Sequence, residues 1–250
     1  MAKTPGDRAS PPITERIPTS IPGFDNLVAG GLEKNSITVL RGGAGSGKTI
    51  LSLQFLYGGC TKHDEPGVFL SFLESKDSIF TTARRFGWDL EKLEKDKSFA
   101  FIKYSPYEIQ KIVKDAGGTL RDTIESIGAK RVVVDSLTAY SLVFKTDYET
   151  SEGVLNFINL LKACNCTTIV TEECDVTPHG TETGRLGFMS DGLVKLYHLR
   201  KDYGKYRAIE IVKMRHTDHS DRLHLFDIGE KGVVVRPHSG LFELSVSHSL

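Results

Sequence analysis

Short apolar runs separated by amphipathic stretches set the pattern of the chain. Ile37-Thr38-Val39-Leu40, Gly67 to Phe72, Phe99 to Ile102, Arg131 to Ser136 and Thr167 to Thr171 each read as a buried strand, the last ending in Glu172-Glu173. Between them apolar residues fall at helical spacing. Ile79, Phe80, Ala83 and Phe86 do so within Ser78 to Phe86, and Val154, Phe157, Ile158 and Leu161 do so later. From Glu108 to Ile127 a longer helical face carries Ile109, Ile112, Val113, Ala116, Leu120, Ile124 and Ile127, with Gly117-Gly118 predicting a break. Strands alternating with helices predict an α/β fold, a mostly parallel sheet with helices on both faces. From Gly192 the pattern changes to Leu193–Leu199, Tyr206–Met214, Leu223–Phe226 and Val233–Val235, joined by short turns. These predict an antiparallel C-terminal extension of the same sheet.

One loop brings chemistry to this frame. Gly42-Gly43-Ala44-Gly45-Ser46-Gly47-Lys48-Thr49 follows the first strand and precedes the apolar helix Ile50 to Leu56. Strand, glycine loop and helix in that order make a phosphate-binding loop. Its N–H groups converge on phosphate oxygens, and the helix presents its positive end to the same anion. Gly43, Ala44, Gly45, Ser46, Gly47, Lys48, Thr49 and Ile50 are therefore the candidate nucleotide-binding residues. Lys48 would reach the terminal phosphates, and the Thr49 hydroxyl would ligate Mg²⁺. The run Val132-Val133-Val134-Asp135 is how a buried parallel strand delivers a carboxylate to the sheet edge, so Asp135 is the second candidate Mg²⁺ residue. An Asp there can instead cap the next helix; the upstream loop favours the metal reading.

Composition narrows the class. The 250 residues are 39% hydrophobic and 26% charged, enough for a core. Thirty-two basic residues balance thirty-two acidic ones, which argues against a chain whose business is coating nucleic acid or an anionic membrane. Met1 to Pro12 holds no apolar run, and no stretch reaches the roughly 18 apolar residues of a membrane span, so a cytoplasmic location is expected. Residues 1–13 read as a disordered arm, 14–238 as one domain and 239–250 as a short tail. In the lead-in Ile17 to Asp25, Ser20 or Pro22 would open a short helix around Phe24 to Val28, stopped by Gly30-Gly31. Cys60, Cys164, Cys166 and Cys174 lack a paired CxxC and read as buried thiols rather than metal ligands.

These residues resemble the KaiC-like branch of the RecA-type ATPases, from about Thr19 to Pro237. The resemblance rests on Ile21-Pro22-Gly23-Phe24-Asp25 with Gly30-Gly31-Leu32, the phosphate loop, and Phe86-Gly87-Trp88-Asp89-Leu90. Val132 to Ser136, Ser190-Asp191 and Lys213-Met214-Arg215-His216-Thr217-Asp218-His219 complete it. It implies a single-domain relative that binds ATP and Mg²⁺ between subunits of a homo-oligomeric ring, usually a hexamer, with a regulatory or signalling role toward an unidentified protein partner. Lys213 and Arg215 are then expected to reach the neighbour's phosphates, with Met214, Thr217 and His219 beside the same nucleotide. The alternation of Lys213 and Arg215 along a strand puts both on one face.

One position departs from the family. Two consecutive glutamates are usual after the second core strand, the first acting as base on the attacking water. This chain reads Phe72-Leu73-Glu74-Ser75. Leucine accepts no proton, and losing a general base costs on the order of 10²–10⁴ in rate. The candidate catalytic set is Glu74, Lys48, Lys213 and Arg215, although adjacent residues on an extended chain point apart and Glu74 is no automatic substitute. Two readings follow: a slow Mg²⁺-dependent ATPase, or an assembly module that binds ATP with little hydrolysis. A DNA-recombination ATPase is disfavoured by the zero net charge and the lack of a basic arm. Autophosphorylation in the Ser245-to-Ser249 tail ranks last.

Overall fold

The computed structural model describes residues 14–115, 117–177, 184–201 and 204–236; the N-terminal arm and C-terminal tail expected from the sequence lie outside the described residues. Five strands form the heart of the molecule: β3 (Ile37–Gly42), β4 (Gly67–Ser71), β5 (Phe99–Lys103), β6 (Arg131–Asp135) and β7 (Thr167–Glu173). Four more follow, β8 (Gly192–Lys201), β9 (Gly204–Met214), β10 (Leu223–Gly229) and β11 (Gly232–Arg236), while β1 (Arg16–Ile17) and β2 (Leu32–Glu33) make a separate small ladder. The nine-stranded sheet runs β11-β10-β9-β8-β3-β7-β6-β4-β5. The C-terminal extension is not wholly antiparallel: β8 pairs parallel with β3, and the direction reverses only at β9. A long connection between β7 and β8 gives the chain room to return for a parallel pairing, which no tight turn allows.

Alternate residues of the inner strands feed two cores. Val68, Leu70, Val132 and Val134 pack on one face and Phe69 and Val133 on the other, as a two-residue side-chain period requires. The first face is covered by α4 (Pro106–Lys114), α5 (Gly118–Ser126), α6 (Leu137–Ser141) and α7 (Asp147–Ala163). The break at Gly117-Gly118 falls where the sequence places it, with Gly117 at φ 107°. The other face is covered by α1 (Lys48–Lys62), α2 (Lys76–Arg84) and α3 (Leu90–Lys95). Burial on both sides explains why the inner strands read as continuous apolar runs rather than alternating ones.

α1 is buried nearly all round, because the lead-in and the β10–β11 hairpin cover what the sheet does not. Gln54 fixes that hairpin, donating to Val233 O at 3.1 Å and accepting from Val233 N at 2.6 Å. Arg131 ties the lead-in to the sheet: fully buried, it reaches Glu65 Oε2 (2.6 Å), Phe55 O (2.9 Å) and Pro18 O (2.9 Å), and its guanidinium lies 4.6 Å from the Phe55 ring centre. Such a desolvated cation is tolerated because its donors are satisfied.

The lead-in helix is only a 3-10 turn, Asp25–Leu27, and neither Ser20 nor Pro22 caps it. Asp25 instead turns back to accept from Thr19 N (3.0 Å) and Thr19 Oγ1 (2.6 Å). A β-carbon on Gly31 would strike the Ile17 carbonyl, so only glycine lets β1 and β2 close. α3, α6 and α8 (Gly184–Met189) escaped the sequence pattern because five or six residues show no helical period.

Candidate nucleotide site

The phosphate loop joins the C-terminal end of β3 to α1. A β-carbon at Gly42 would sit 2.6 Å from both Leu196 O and Ser46 Oγ, and Gly45 (φ 71°) and Gly47 (φ 102°) take left-handed conformations. Glycine is required at all three. Lys48, the first residue of α1, folds beneath the loop and donates to Gly42 O at 2.7 Å and Gly43 O at 2.9 Å. Burial holds its ammonium below the usual lysine range, opposed by the negative charges of Glu173 and Asp135.

Asp135 ends β6, two strands from the loop. Its Oδ2 accepts from Thr49 Oγ1 and its Oδ1 from Thr171 Oγ1, each at 2.6 Å. The N-cap of α6 is Ser136, and the Asp135 carboxylate points to the loop instead. The Asp135–Ser136 peptide is cis. These hard oxygens, a hydroxyl and a carboxylate drawn to one point, match the donor set Mg²⁺ prefers.

Leu73 and Glu74 both line the same cleft of about 350 Å³ with Lys48, Thr49, Asp135, Glu173, Arg207 and Ile228. Both residues follow the end of β4 at Ser71, where the strand alternation stops. Leu73 is exposed at the rim. Glu74 Oε2 accepts from Ser78 Oγ at 2.6 Å, which fixes the carboxylate at the start of α2.

Lys213 and Arg215 lie elsewhere. Asp191 N donates to Ile37 O and Arg215 N to Asp191 O, both at 2.9 Å, so Arg215 stands level with the first residue of β3. The phosphate loop begins at the other end of that strand, about 16 Å away at ~3.3 Å per residue. Lys213 Nζ donates to Gly187 O (2.9 Å) and Ser190 O (2.8 Å), and Arg215 Nη2 to Phe188 O (3.4 Å). Both cations therefore rest on one segment, around α8, in agreement with a shared face. Burial lowers the Lys213 ammonium and the neighbouring Arg215 lowers it further. Asp191 anchors this edge, its Oδ2 accepting from Ile37 N at 3.0 Å and its Oδ1 facing Arg215 at 3.5 Å.

The rest of the expected set is at the same edge. Thr217 Oγ1 accepts from Arg16 at 2.6 Å, and His219 Nδ1 is 3.0 Å from Ser220 O. The Met214 side chain is in the core. One chain thus brings the loop, Asp135 and Glu74 together and holds Lys213, Met214, Arg215, Thr217 and His219 apart from them.

Three further residues line the cleft and carried no sequence motif, Glu173, Arg207 and Ile228, while the buried Thr171 supports Asp135 from behind. Glu173 is the register partner of Gly42, which puts it at the mouth of the loop. Ile228 packs over Gly47, its Cδ1 3.0 Å from where a β-carbon would stand. Arg207 and Ile228 also line an adjoining cleft of about 640 Å³ with Ile50, Thr82, Arg85 and Phe86. The buried Arg207 Nε has no hydrogen-bond partner among the described residues.

The four cysteines are free thiols. Cys166 is buried, donates to Ala129 O at 3.2 Å and is pushed up to about 12 by burial; the other three are only half-buried. No helix among the described residues is long and apolar enough to cross a membrane.

A mostly parallel α/β sheet with a phosphate loop, a strand-end carboxylate and a nine-strand order of this kind defines a RecA-type P-loop ATPase fold. The family described as "ATPase: KaiC" matches residues 17–240. A UPF0273 protein of Sulfurisphaera tokodaii is 32% identical over 235 residues, covering 88% of this chain and 82% of that one. A circadian clock oscillator protein KaiC of Prochlorococcus marinus is 34% identical over 229 residues, covering 88% of this chain but 45% of that longer protein. The crystal structure of a KaiC-like protein from Pyrococcus horikoshii superposes with a TM-score of 0.78 at 32% identity, covering 90% of this chain and all of the other. The chain belongs to the KaiC family of RecA-type P-loop ATPases.

Proposed function

We propose that the protein is a slow Mg²⁺-dependent ATPase of the cytoplasm whose active site is completed between copies in a homo-oligomeric ring. The observation that carries this reading is the position of Lys213 and Arg215, at the end of the sheet opposite the phosphate loop. Neither can serve its own chain's cleft, but a head-to-tail neighbour would present both to it. Cations supplied in trans stabilise charge developing on the transferring phosphoryl group. Within one chain the loop amides and Lys48 hold the phosphates. Thr49 and Asp135 would hold Mg²⁺, which would supply positive charge to offset that of the phosphates. Glu74 accepts the proton of the attacking water, and Arg207 with Ile50 and Ile228 extends the site toward the nucleoside. The output is a change of affinity for a protein partner with nucleotide state. The zero net charge argues against nucleic acid as the target.

Leu73 supports a second reading, in which ATP is a structural ligand that joins copies and is hardly hydrolysed. Phosphate release by the wild type, Leu73→Glu and Glu74→Gln, with oligomeric state followed alongside, separates the two. Turnover by the wild type that Glu74→Gln abolishes supports the enzyme. An inert wild type that assembles with ATP and gains turnover as Leu73→Glu supports the structural ligand.

A further inference from the structure

The loop that follows β9, from Arg215 to Ser220, is gripped by a part of the lead-in that no motif marks. Arg16 and Glu33 face each other across the ladder of β1 and β2, so their side chains leave it on one side. Arg16 Nη1 donates to Thr217 Oγ1 at 2.6 Å and Arg16 Nη2 to His216 O at 2.7 Å, while Glu33 Oε2 stands 3.2 Å from His216 Nδ1. Further along, Ser220 N donates to Leu27 O at 2.9 Å. The loop needs such a grip. His216 takes a left-handed backbone, φ 52°, which a β-carbon disfavours and which surrounding contacts must fix.

The grip reaches Arg215 through one hydroxyl. Thr217 Oγ1 accepts from Arg16 and donates its own proton to Arg215 O at 2.8 Å, two roles that a threonine hydroxyl fills at once. Arg215 N donates to Asp191 O at 2.9 Å. Both backbone groups of Arg215 are thus fixed, the nitrogen by the sheet edge and the carbonyl through Thr217 by Arg16. A guanidinium with two nitrogens on neighbouring acceptors sets direction as well as distance.

We infer that Arg16 is a positioning residue for ATP turnover: from β1 it sets, through Thr217, the backbone from which Arg215 serves the next copy. This rests on the composite-site reading above. Both hydrogen bonds of Arg16 go to its own chain, so it acts through Arg215 and is not itself a catalytic residue. A cation stabilises developing charge only where it is held in place beforehand, and a misplacement of ~1 Å costs on the order of 10²-fold in rate. The lead-in ladder therefore belongs to the side of the molecule that donates the arginine, not to the side that holds the phosphates.

Turnover of the full chain, alone and in mixtures, tests the assignment. Arg16→Met is expected to lower kcat on the order of 10²-fold and to change the KM for ATP less than about twofold, because the lost interaction acts only in the transition state. Arg16→Lys keeps the charge but not the paired donors and is expected to retain about a tenth of wild-type kcat. Adding Thr217→Val to Arg16→Met is expected to lower kcat little further, as for two members of one chain of contacts. Mixing shows on which side Arg16 acts. Arg16→Met chains mixed with Lys48→Ala chains are expected to recover about a quarter of wild-type turnover, since intact clefts of the first meet intact arginines of the second. Mixed with Arg215→Ala chains they are expected to recover none, because both faults lie on the donating side. Recovery with Arg215→Ala, or with neither partner as for a chain that fails to fold, overturns the assignment. If Arg215→Ala loses turnover and Arg16→Met keeps it, the positioning role falls and the composite site stands. If the wild type has no turnover, or Arg215→Ala keeps it in full, the composite site falls and takes this role with it.

Discussion

The two ends of the central strands differ in how far they are complete. At the C-terminal end, Lys48 donates to the loop carbonyls of Gly42 and Gly43, and Asp135 accepts from Thr49 and Thr171, all within about 3 Å. At the opposite end, Lys213 and Arg215 meet backbone carbonyls and Asp191 among the described residues. The first arrangement is closed within one chain. The second is a pair of cations parked on a helix, with an exposed phenylalanine alongside. Under the proposed composite site, the strand length that separates the phosphate loop from Lys213 and Arg215 is spanned by a second copy.

Substitutions at the two ends sharpen this contrast. Arg215→Ala is expected to lower ATP turnover by about 10³-fold, the scale of an arginine supplied in trans, while leaving thermal stability within about 0.5 kcal/mol, as for an exposed side chain. Parallel phosphate-release and melting measurements check both, and a large loss of stability would show that the edge is structural. Lys48→Ala is expected to weaken ATP binding by roughly 100-fold in titration calorimetry, because a buried charged donor to phosphate is lost. Unchanged affinity would move the site elsewhere. Asp191→Ala is expected to destabilise the fold by about 1–3 kcal/mol in urea titrations, since the Ile37 N–H loses its acceptor.

The smallest effect is a pH dependence. Lys48 and Lys213 both have folded-state pKa values below the ordinary one. Between those depressed values and ~10.4 each binds fewer protons folded than unfolded, so unfolding free energy rises with pH across that window. Below it the charged lysines cost stability. Lys48→Met and Lys213→Met are each expected to flatten the alkaline rise in melting temperature; a rise identical to wild type would contradict the burial assigned to them.

The elements carrying long apolar periods were legible in the sequence, since burial on both faces imprints runs such as Val132-Val133-Val134. The phosphate loop and Asp135 were legible because their chemistry demands fixed neighbours. What stayed hidden depends on register or on an element's end. Glu173 and Arg207 reach the cleft, and Thr171 reaches Asp135, only through the pairing of β7 with β3 and β6 and of β9 with β8. Glu74 joins Leu73 in the cleft because β4 stops short of them. The parallel pairing of β8 could not be read from alternation, which looks the same in either direction. The family motif Ser190-Asp191 acquires a reason only in three dimensions, where Asp191 holds the first amide of β3 and faces Arg215.

The central claim, that one active site takes residues from two copies, is tested most directly by mixing Lys48→Ala and Arg215→Ala chains before ATP is added and measuring turnover. Each variant alone is expected to be inactive. In an equal mixture about a quarter of the head-to-tail interfaces would pair an intact cleft with an intact arginine, so about a quarter of wild-type turnover is expected to return. Mixed rings that form and stay as inactive as their parents would contradict the claim.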